Sequence, residues 1–348
     1  MGILLSLLLG AAGCHDGKAE HPVYIVDVGH CVSVDRFGEF VEECDSRTLH
    51  LRGAALSEAL ALSIDGERVV LLDRRYLKFF VFDQRGDLTA SFCKKGNGPG
   101  EYLSINCFRV DESTGQIVLL DGTANKIMRY SSEGGFLSES PIGVPRGANS
   151  FAECGGFFYF DRSYHYSDEE ERFCLFQTDS QLNVSGKMLP YDGTPSIRMA
   201  PREPFYRVGD VLVYVPTYSR TVYDIAESGS VSPRFSFDFG KHDFDLSALM
   251  RNQGDPLSFL QMIRDSGMVM FLNVHETRDA VFLDFQCGGD AYLTCIDKSE
   301  GRSTTIKVAE NSDCRSVFRP LAVYDNQFVS FDDSAAEECC LVFYKLKK

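Results

Sequence analysis

A strand–turn–strand unit written twice, the same pattern returning in four later segments, and glycine turns between them predict an all-β fold: a six-bladed β-propeller with a short helical insertion near residues 243–267. The two clearest copies are LLDRRYLKFFVFDQRG at 71–86 and LLDGTANKIMRYSSEG at 119–134, 48 residues apart. Leu71, Leu72, Asp73, Lys78 and Gly86 fall on Leu119, Leu120, Asp121, Lys126 and Gly134. A period of 40 to 50 residues holding several strands is the mark of propeller blades, because one small sheet cannot bury both of its faces unless a neighbour covers it.

The elements follow in chain order. Met1 to Gly13 reads MGILLSLLLGAAG, an apolar run of signal-peptide length, too short to span a bilayer as a helix. It ends in Ala11-Ala12-Gly13-Cys14, which resembles the bacterial lipobox, where small residues admit a peptidase and the Cys thiol accepts lipid; the usual Leu three places before the Cys is Ala11 here, and a plain secretory signal is the alternative. Acyl chains contribute about 0.8 kcal/mol per buried methylene, so two or more anchor a protein stably. Residues 1–13 thus read as a signal peptide, 14–22 as a tether beginning at lipidated Cys14, and 23–348 as one propeller domain. Val23 to Val34 is β-rich and stands where a strand would close the ring with the last blade or line an edge.

Blade one spans about 55–94, with strands near 57–63, 67–73, 77–83 and 87–93, and blade two about 103–141. Unit three begins at Gly156 to Asp161, passes a hydrophilic loop and resumes at Phe173 to Phe176; unit four holds Asp210 to Val215 and Thr221 to Ile225. Unit five holds Ala280 to Asp284 and Ala291 to Asp297, and unit six Gln327 to Asp332 and Cys340 to Tyr344. Between Lys241 and Val269 the β rhythm breaks. Asp255-Pro256 is an N-cap with Pro at the first helical position, Leu257, Leu260 and Ile263 recur at helical spacing, and Gly267 ends the run. The insertion is expected to pack on blades four and five.

Composition bounds the partners. Aliphatic, aromatic and sulfur side chains make up 44% of the chain, with 27 Phe and 15 Tyr to pack between sheets and no Trp to stack on sugars. A formal charge of −15, without a basic cluster among aromatics, excludes nucleic acid. Beyond Cys14 stand eleven cysteines, an odd number that cannot all pair internally. Several lie in apolar strand patterns, where Cys acts as a small hydrophobe, and no CxxC supports a zinc or thioredoxin-type site.

With Lys95 to Tyr102 (KGNGPGEY) between Leu-Leu-Asp strands and Phe-Asp-x-x-Gly turns, the chain resembles the six-bladed β-propeller lipoproteins of Bacteroidetes. Its blades also resemble NHL repeats, in which a strand ends in Asp, a turn contains Asn and the next strand opens with a basic residue and Ile, as in Asp121, Asn125, Lys126 and Ile127. The resemblance implies a TolB-like ring held at the cell envelope as an outer-membrane lipoprotein, with the periplasmic or surface side left open. It transfers no catalytic residue. The chain departs from the pattern at Arg74 to Leu77, which lacks the Asn, and at Pro216, where unit four would carry the strand-end Asp.

The site candidates each have a structural alternative. The glycines of 96–100 do not follow GxGxxG and precede a strand, so a turn is the reading, with Glu101 and Tyr102 exposed to a ligand at the channel mouth. Asp73, Asp121, Asp161, Asp284 and Asp332 end apolar strands at comparable blade positions and could hold calcium round the axis, or could each cap their own turn. Tyr164, His165 and Tyr166 form a loop suited to a polar or cationic partner, or a solvated loop. His275-Glu276 lacks the second His of a zinc-protease helix, and no GxSxG is present. Three functions follow: a lipid-anchored module binding an envelope protein, peptide or glycan; a metal-dependent lactonase- or lyase-like enzyme using axial carboxylates; or a structural part of an envelope assembly.

Overall fold

The computed structural model describes residues 21–32, 41–53, 56–57, 60–111, 113–165, 172–192, 199–251, 256–308, 319–335 and 338–347. Cys14, Tyr166, Asp255 and Cys314 lie outside them. Two strands, β1 (Val23–Ile25) and β2 (Val41–Leu49), precede the first repeat. Blade one is β3 (Leu60–Ile64), β4 (Arg68–Asp73), β5 (Lys78–Asp83) and β6 (Leu88–Phe92), and blade two β7 (Cys107–Val110), β8 (Ile117–Asp121), β9 (Lys126–Tyr130) and β10 (Phe136–Pro141). Blade three is β11 (Ser150–Cys154), β12 (Phe157–Asp161), β13 (Phe173–Thr178) and β14 (Val184–Pro190). Blade four is β15 (Phe205–Val208), β16 (Val211–Tyr214), β17 (Thr221–Ile225) and β18 (Val231–Asp238). Blade five is β19 (Val269–Glu276), β20 (Ala280–Cys287), β21 (Asp290–Asp297) and β22 (Ser303–Val308), and blade six adds β23 (Ala322–Tyr324), β24 (Gln327–Ala335) and β25 (Glu338–Leu346).

Each blade is an antiparallel meander. The first strands of successive blades lie side by side, β7 with β11, β11 with β15, β15 with β19, β19 with β23, and β23 returns to β3, which closes the ring. The second and third strands read as near-continuous apolar runs because blades cover them on both faces: Val69, Val70, Leu71 and Leu72 of β4 are all fully buried. Between blades one and two, Phe79 stacks on Phe92 at 5.0 Å and meets Phe108 edge-on at 5.2 Å.

Of the two readings of Val23 to Val34, the edge strand holds and the closing strand does not. Val23–Ile25 does not pair with blade six; it lies parallel to β18 as a fifth, edge strand of blade four. The outer strand of blade six is β2, antiparallel to β25 from Val41 opposite Leu346 to Leu49 opposite Cys339. Between them Val32 bridges Ile306 of blade five, and beyond β2 the His50 N–H reaches Gly86 O of blade one at 2.8 Å. The N-terminal segment is thus a belt round the rim of blades four, five, six and one. Gly86 is fixed by it: its φ is +83°, and a Cβ there would stand 1.8 Å from Thr48 O.

The insertion holds two helices, α1 (Leu246–Arg251) and α2 (Pro256–Ser266), and Gly267 follows at φ +65°. The apolar face differs from the expected Leu257, Leu260 and Ile263: Leu257 and Leu260 are exposed, whereas Phe259 and Ile263, one turn apart, are buried. They join Leu249 in one core cluster with Tyr164 and Leu175 of blade three, Phe205 and Tyr214 of blade four and Met270 of blade five, and Arg264 lies against Gly289 of blade five, so the insertion reaches blade three as well as the expected four and five.

One buried carboxylate ties blade four to blade five. Glu276, at the end of β19, is fully buried and accepts from Arg234 Nε at 2.9 and 3.1 Å, Arg234 Nη2 at 2.8 Å, Lys298 Nζ at 2.7 Å and the Tyr206 hydroxyl at 3.1 Å. Arg234 also holds Asp224 at 2.9 Å. Burial, with Glu276 adding to it, pushes the Tyr206 hydroxyl well above the ordinary tyrosine range, so Tyr206 is a permanent donor.

Candidate functional site at the axial mouth

In an up-and-down blade the turn between strands two and three and the connector to the next blade emerge on the same face. Here that face carries the Asp73 to Leu77 turn, the Tyr164 turn, the 93–106 connector, the 191–204 connector, the helical insertion and the approach to β23. Both loops proposed from the sequence therefore lie on one face, though their side chains point elsewhere.

The 96–101 loop is a structural turn. The Glu101 N–H donates to Gly98 O at 3.1 Å across Pro99-Gly100, with Gly100 at φ +72°, and the Glu101 carboxylate turns back to accept from Gly98 N at 2.8 Å. Tyr102 is fully buried, contrary to the expected exposure. Its hydroxyl accepts from Lys94 N at 2.9 Å and donates to Leu77 O at 2.8 Å, which leaves it no path to a ligand at the mouth. Tyr164 is likewise buried, with its ring 4.4 Å from that of Tyr191 and edge-on to Tyr218 at 5.3 Å. His165 is half-buried beside it and its carbonyl accepts from the Tyr191 hydroxyl at 3.0 Å.

The strand-end carboxylates are turn caps in the first three blades. Asp73 accepts from Ser57 N and Oγ at 2.8 and 2.7 Å and from Arg75 N at 3.0 Å, and Asp121 repeats this with Leu103 N, Ser104 Oγ, Thr123 N and Ala124 N. Asp161 accepts from Ser163 Oγ at 2.5 Å and, across the blade boundary, from the Tyr214 hydroxyl at 2.7 Å. Asp332 is half-buried within β24, opposite Cys340. Among the described residues no three His, Cys, Asp or Glu side chains converge as metal ligands.

Asp284 alone of the five carboxylates lines the axial cavity. This cavity, about 30 Å³, also touches Arg74, Arg202, Glu203, Asn273 and His275, and Asp284 with Arg319 borders a second of about 130 Å³. Arg74, in the β4–β5 turn, and Arg109, on β7, grip Glu203 at 3.2 and 2.8 Å. Arg319, just before β23, is paired with Asp284 through its Nε. Asn273 pins the floor: its Oδ1 accepts from Arg202 N at 2.8 Å, and its amide nitrogen donates to Phe271 O at 3.0 Å and reaches Asp284 at 3.5 Å. Phe271 sits at φ +54° in a bulge of β19, a conformation bulky residues avoid and one that such over-determined sites maintain.

Four arginines thus face two carboxylates at one end of the axis of an acidic chain. Burial lowers the pKa of Arg202 from its ordinary value, Arg319 and Arg74 lower it further, and Asp284 opposes them. Burial, then Arg202 and Arg319, depress His275 to about 3, so its imidazole is neutral across the physiological range. Neither Arg202, Arg319 nor His275 was singled out in the sequence as a site residue. Each arginine stands alone in a connector, and nothing local marks it as axial.

A family model described as a 6-bladed beta-propeller, DUF5128, matches residues 56–330. The chain belongs to that family. Among solved structures, a Bacteroides fragilis protein described as exported is similar at 20% identity and a TM-score of 0.80, over 94% of this chain and all of that one. A member of the DUF4221 family from Bacteroides vulgatus is similar at 8% identity and a TM-score of 0.61, over 89% of this chain and 99% of that one. At these identities the likeness is one of fold. No curated protein sequence matches the chain. Among the described residues, no helix of this DUF5128 propeller is long and apolar enough to cross a membrane.

Proposed function

We propose that this propeller is an exported envelope protein, lipid-anchored at Cys14 to the outer membrane, that binds a ligand at the axial mouth of its connector face. The supporting observation is the mouth itself, where Arg74 and Arg202 from loops and Asp284 and the neutral imidazole of His275 from the strands of blade five line one small cavity, with Arg319 beside Asp284 at an adjoining one. Convergent polar groups in a concave site on a rigid scaffold are the physical requirements of a binding site. The partner is an envelope protein, peptide or glycan, and the membrane is engaged by the lipid alone. The description of the Bacteroides fragilis neighbour as exported accords with the signal read in residues 1–13.

Hydrogen exchange on the soluble form beginning after Cys14, with and without fractionated envelope peptides and glycans, tests the binding role. Slowed exchange confined to residues 199–206 and 269–276 supports it; slowing only elsewhere, or none with any fraction, sinks it. Metabolic labelling with a fatty acid tests the anchor: label lost on Cys14→Ser supports it, and an unlabelled parent refutes it.

A further inference from the structure

We infer that the group recognised at the axial mouth is an oxyanion, a carboxylate or a phosphate, taken by the guanidinium of Arg202 with the His275 imidazole beside it. The inference rests on the proposed binding role of the mouth and specifies its chemistry.

The argument begins with charge pairing. Arg74 and Arg109 share Glu203, and Arg319 is bonded to Asp284. Arg202 lies among the same groups, yet among the described residues its side chain has no hydrogen-bonded or ion-paired partner, although it is exposed to the cavity. Counting formal charges, Arg74, Arg109, Arg202 and Arg319 against Glu203 and Asp284 leave a surplus of two positive charges. That surplus is held in a chain of net charge −15, which makes it an arrangement and not an average of composition.

Position comes next. The backbone of Arg202 is fastened to Asn273 at 2.8 Å, and Asn273 is itself buried and tied to Phe271 O, so the guanidinium is presented from a fixed point. A guanidinium offers a planar fork of donors that matches the two-oxygen edge of a carboxylate or phosphate. His275 lines the same cavity and, among the described residues, makes no hydrogen bond through its ring. As a neutral imidazole it has one donor and one acceptor to offer. Burial, and then the two nearby guanidinium groups, hold it neutral. A bound anion would offset them and draw a proton toward it, which supplies a signal local to the site.

The experiment is a titration of the soluble protein beginning after Cys14, with the His ring resonances observed by NMR at constant ionic strength. The probes are inorganic phosphate, acetate and the neutral sugar methyl glucoside. Saturable shifts of the His275 ring with an oxyanion and none with the sugar are expected, with Arg202→Gln weakening the response about tenfold or more. Arg202→Lys, which keeps the charge and loses the fork, falls between. A larger response to phosphate assigns phosphate esters, and a larger one to acetate assigns carboxylate ends.

Because the Arg202 side chain is exposed and bonded to none of the described residues, a thermal melt of Arg202→Gln matching the parent keeps the comparison valid; if that variant melts early, Arg202→Lys carries the test. Shifts that ignore Arg202→Gln, or that no oxyanion produces while a neutral envelope glycan protects residues 199–206, overturn the oxyanion and leave the binding role standing. No response at the mouth to any probe or fraction overturns both.

Discussion

Replacing Glu276 by Ala should be among the most damaging single changes in the molecule. The carboxylate is fully buried and receives five hydrogen bonds from Arg234, Lys298 and Tyr206. Removing it strands two cations whose side chains are only 19% and 20% exposed. Breaking a buried pair by deleting one partner costs about 3–5 kcal/mol, and the lower half of that range applies because Arg234 keeps Asp224. With an unfolding entropy of about 2.1 cal/mol/K per residue, the 348-residue chain unfolds with roughly 0.7 kcal/mol/K, so 3–4 kcal/mol lowers the melting temperature by about 4–6 °C. Scanning calorimetry with a check of reversibility measures this. A Glu276→Ala melt within about 1 °C of the parent would refute the reasoning, since it would mean that Arg234 and Lys298 reach water without cost. A cycle with Lys298→Met then isolates the pair, and little coupling there would place the loss in Arg234.

Three further outcomes are expected. His275 has its folded value near 3 against 6.5 unfolded, so its contribution to stability is intact above pH 6.5 and is lost as pH falls toward 3; in urea melts His275→Gln should lose less stability between pH 6.5 and 4 than the parent, and parallel profiles would contradict the buried, cation-flanked imidazole. Gly86→Ala must move the belt at Thr48 as well as adopt positive φ, and a loss of at least about 1 kcal/mol in urea is expected, with an unchanged midpoint showing that the belt is loose there. Treatment with EDTA should leave the melting temperature unchanged, because Asp73, Asp121 and Asp161 are bonded to donors of their own and adjoining blades; a stoichiometric divalent ion in purified protein, with a melt lowered by its removal, would revive the axial-carboxylate enzyme.

What could be read in the sequence follows burial. The second and third strands of most blades are covered on both faces and so appear as apolar runs, from Leu71-Leu72 to Phe282-Leu283, and these make the fold legible, whereas β17 of blade four is only partly covered. Rim strands are legible only weakly: β10 is exposed throughout, and in β2 only Val41 and Leu49 are buried, with a bulge between Glu43 and Asp45 that breaks the alternation. That is why the sequence offers Val23 to Val34 as closure or edge strand and leaves β2, the outer strand of blade six, unmarked. The departure at Leu77 proves structural: it takes φ +51° where Asn125 takes φ +57°, so the turn is kept without its usual residue. The mouth was illegible because Arg74, Arg202, His275 and Arg319 are separated by tens of residues and meet only through ring closure. Tyr102 and Tyr164 were misplaced because loop position was taken for exposure, whereas both rings fill gaps between packed elements.

The belt has a consequence for the order of assembly. Strand β2 is made before any of the six meanders, yet its partner β25 follows all the other described strands. Pairing them across some 300 residues adds little entropy cost beyond that of a shorter loop, since that cost grows only with the logarithm of length, but such non-local contacts form slowly. Until then blade six lacks its rim, and β2 and β25 each carry an unsatisfied strand edge. Five four-stranded blades can therefore form before the ring is complete, and β2 and β25 are kinetically one element: loss of either strand should trap the same open, aggregation-prone intermediate.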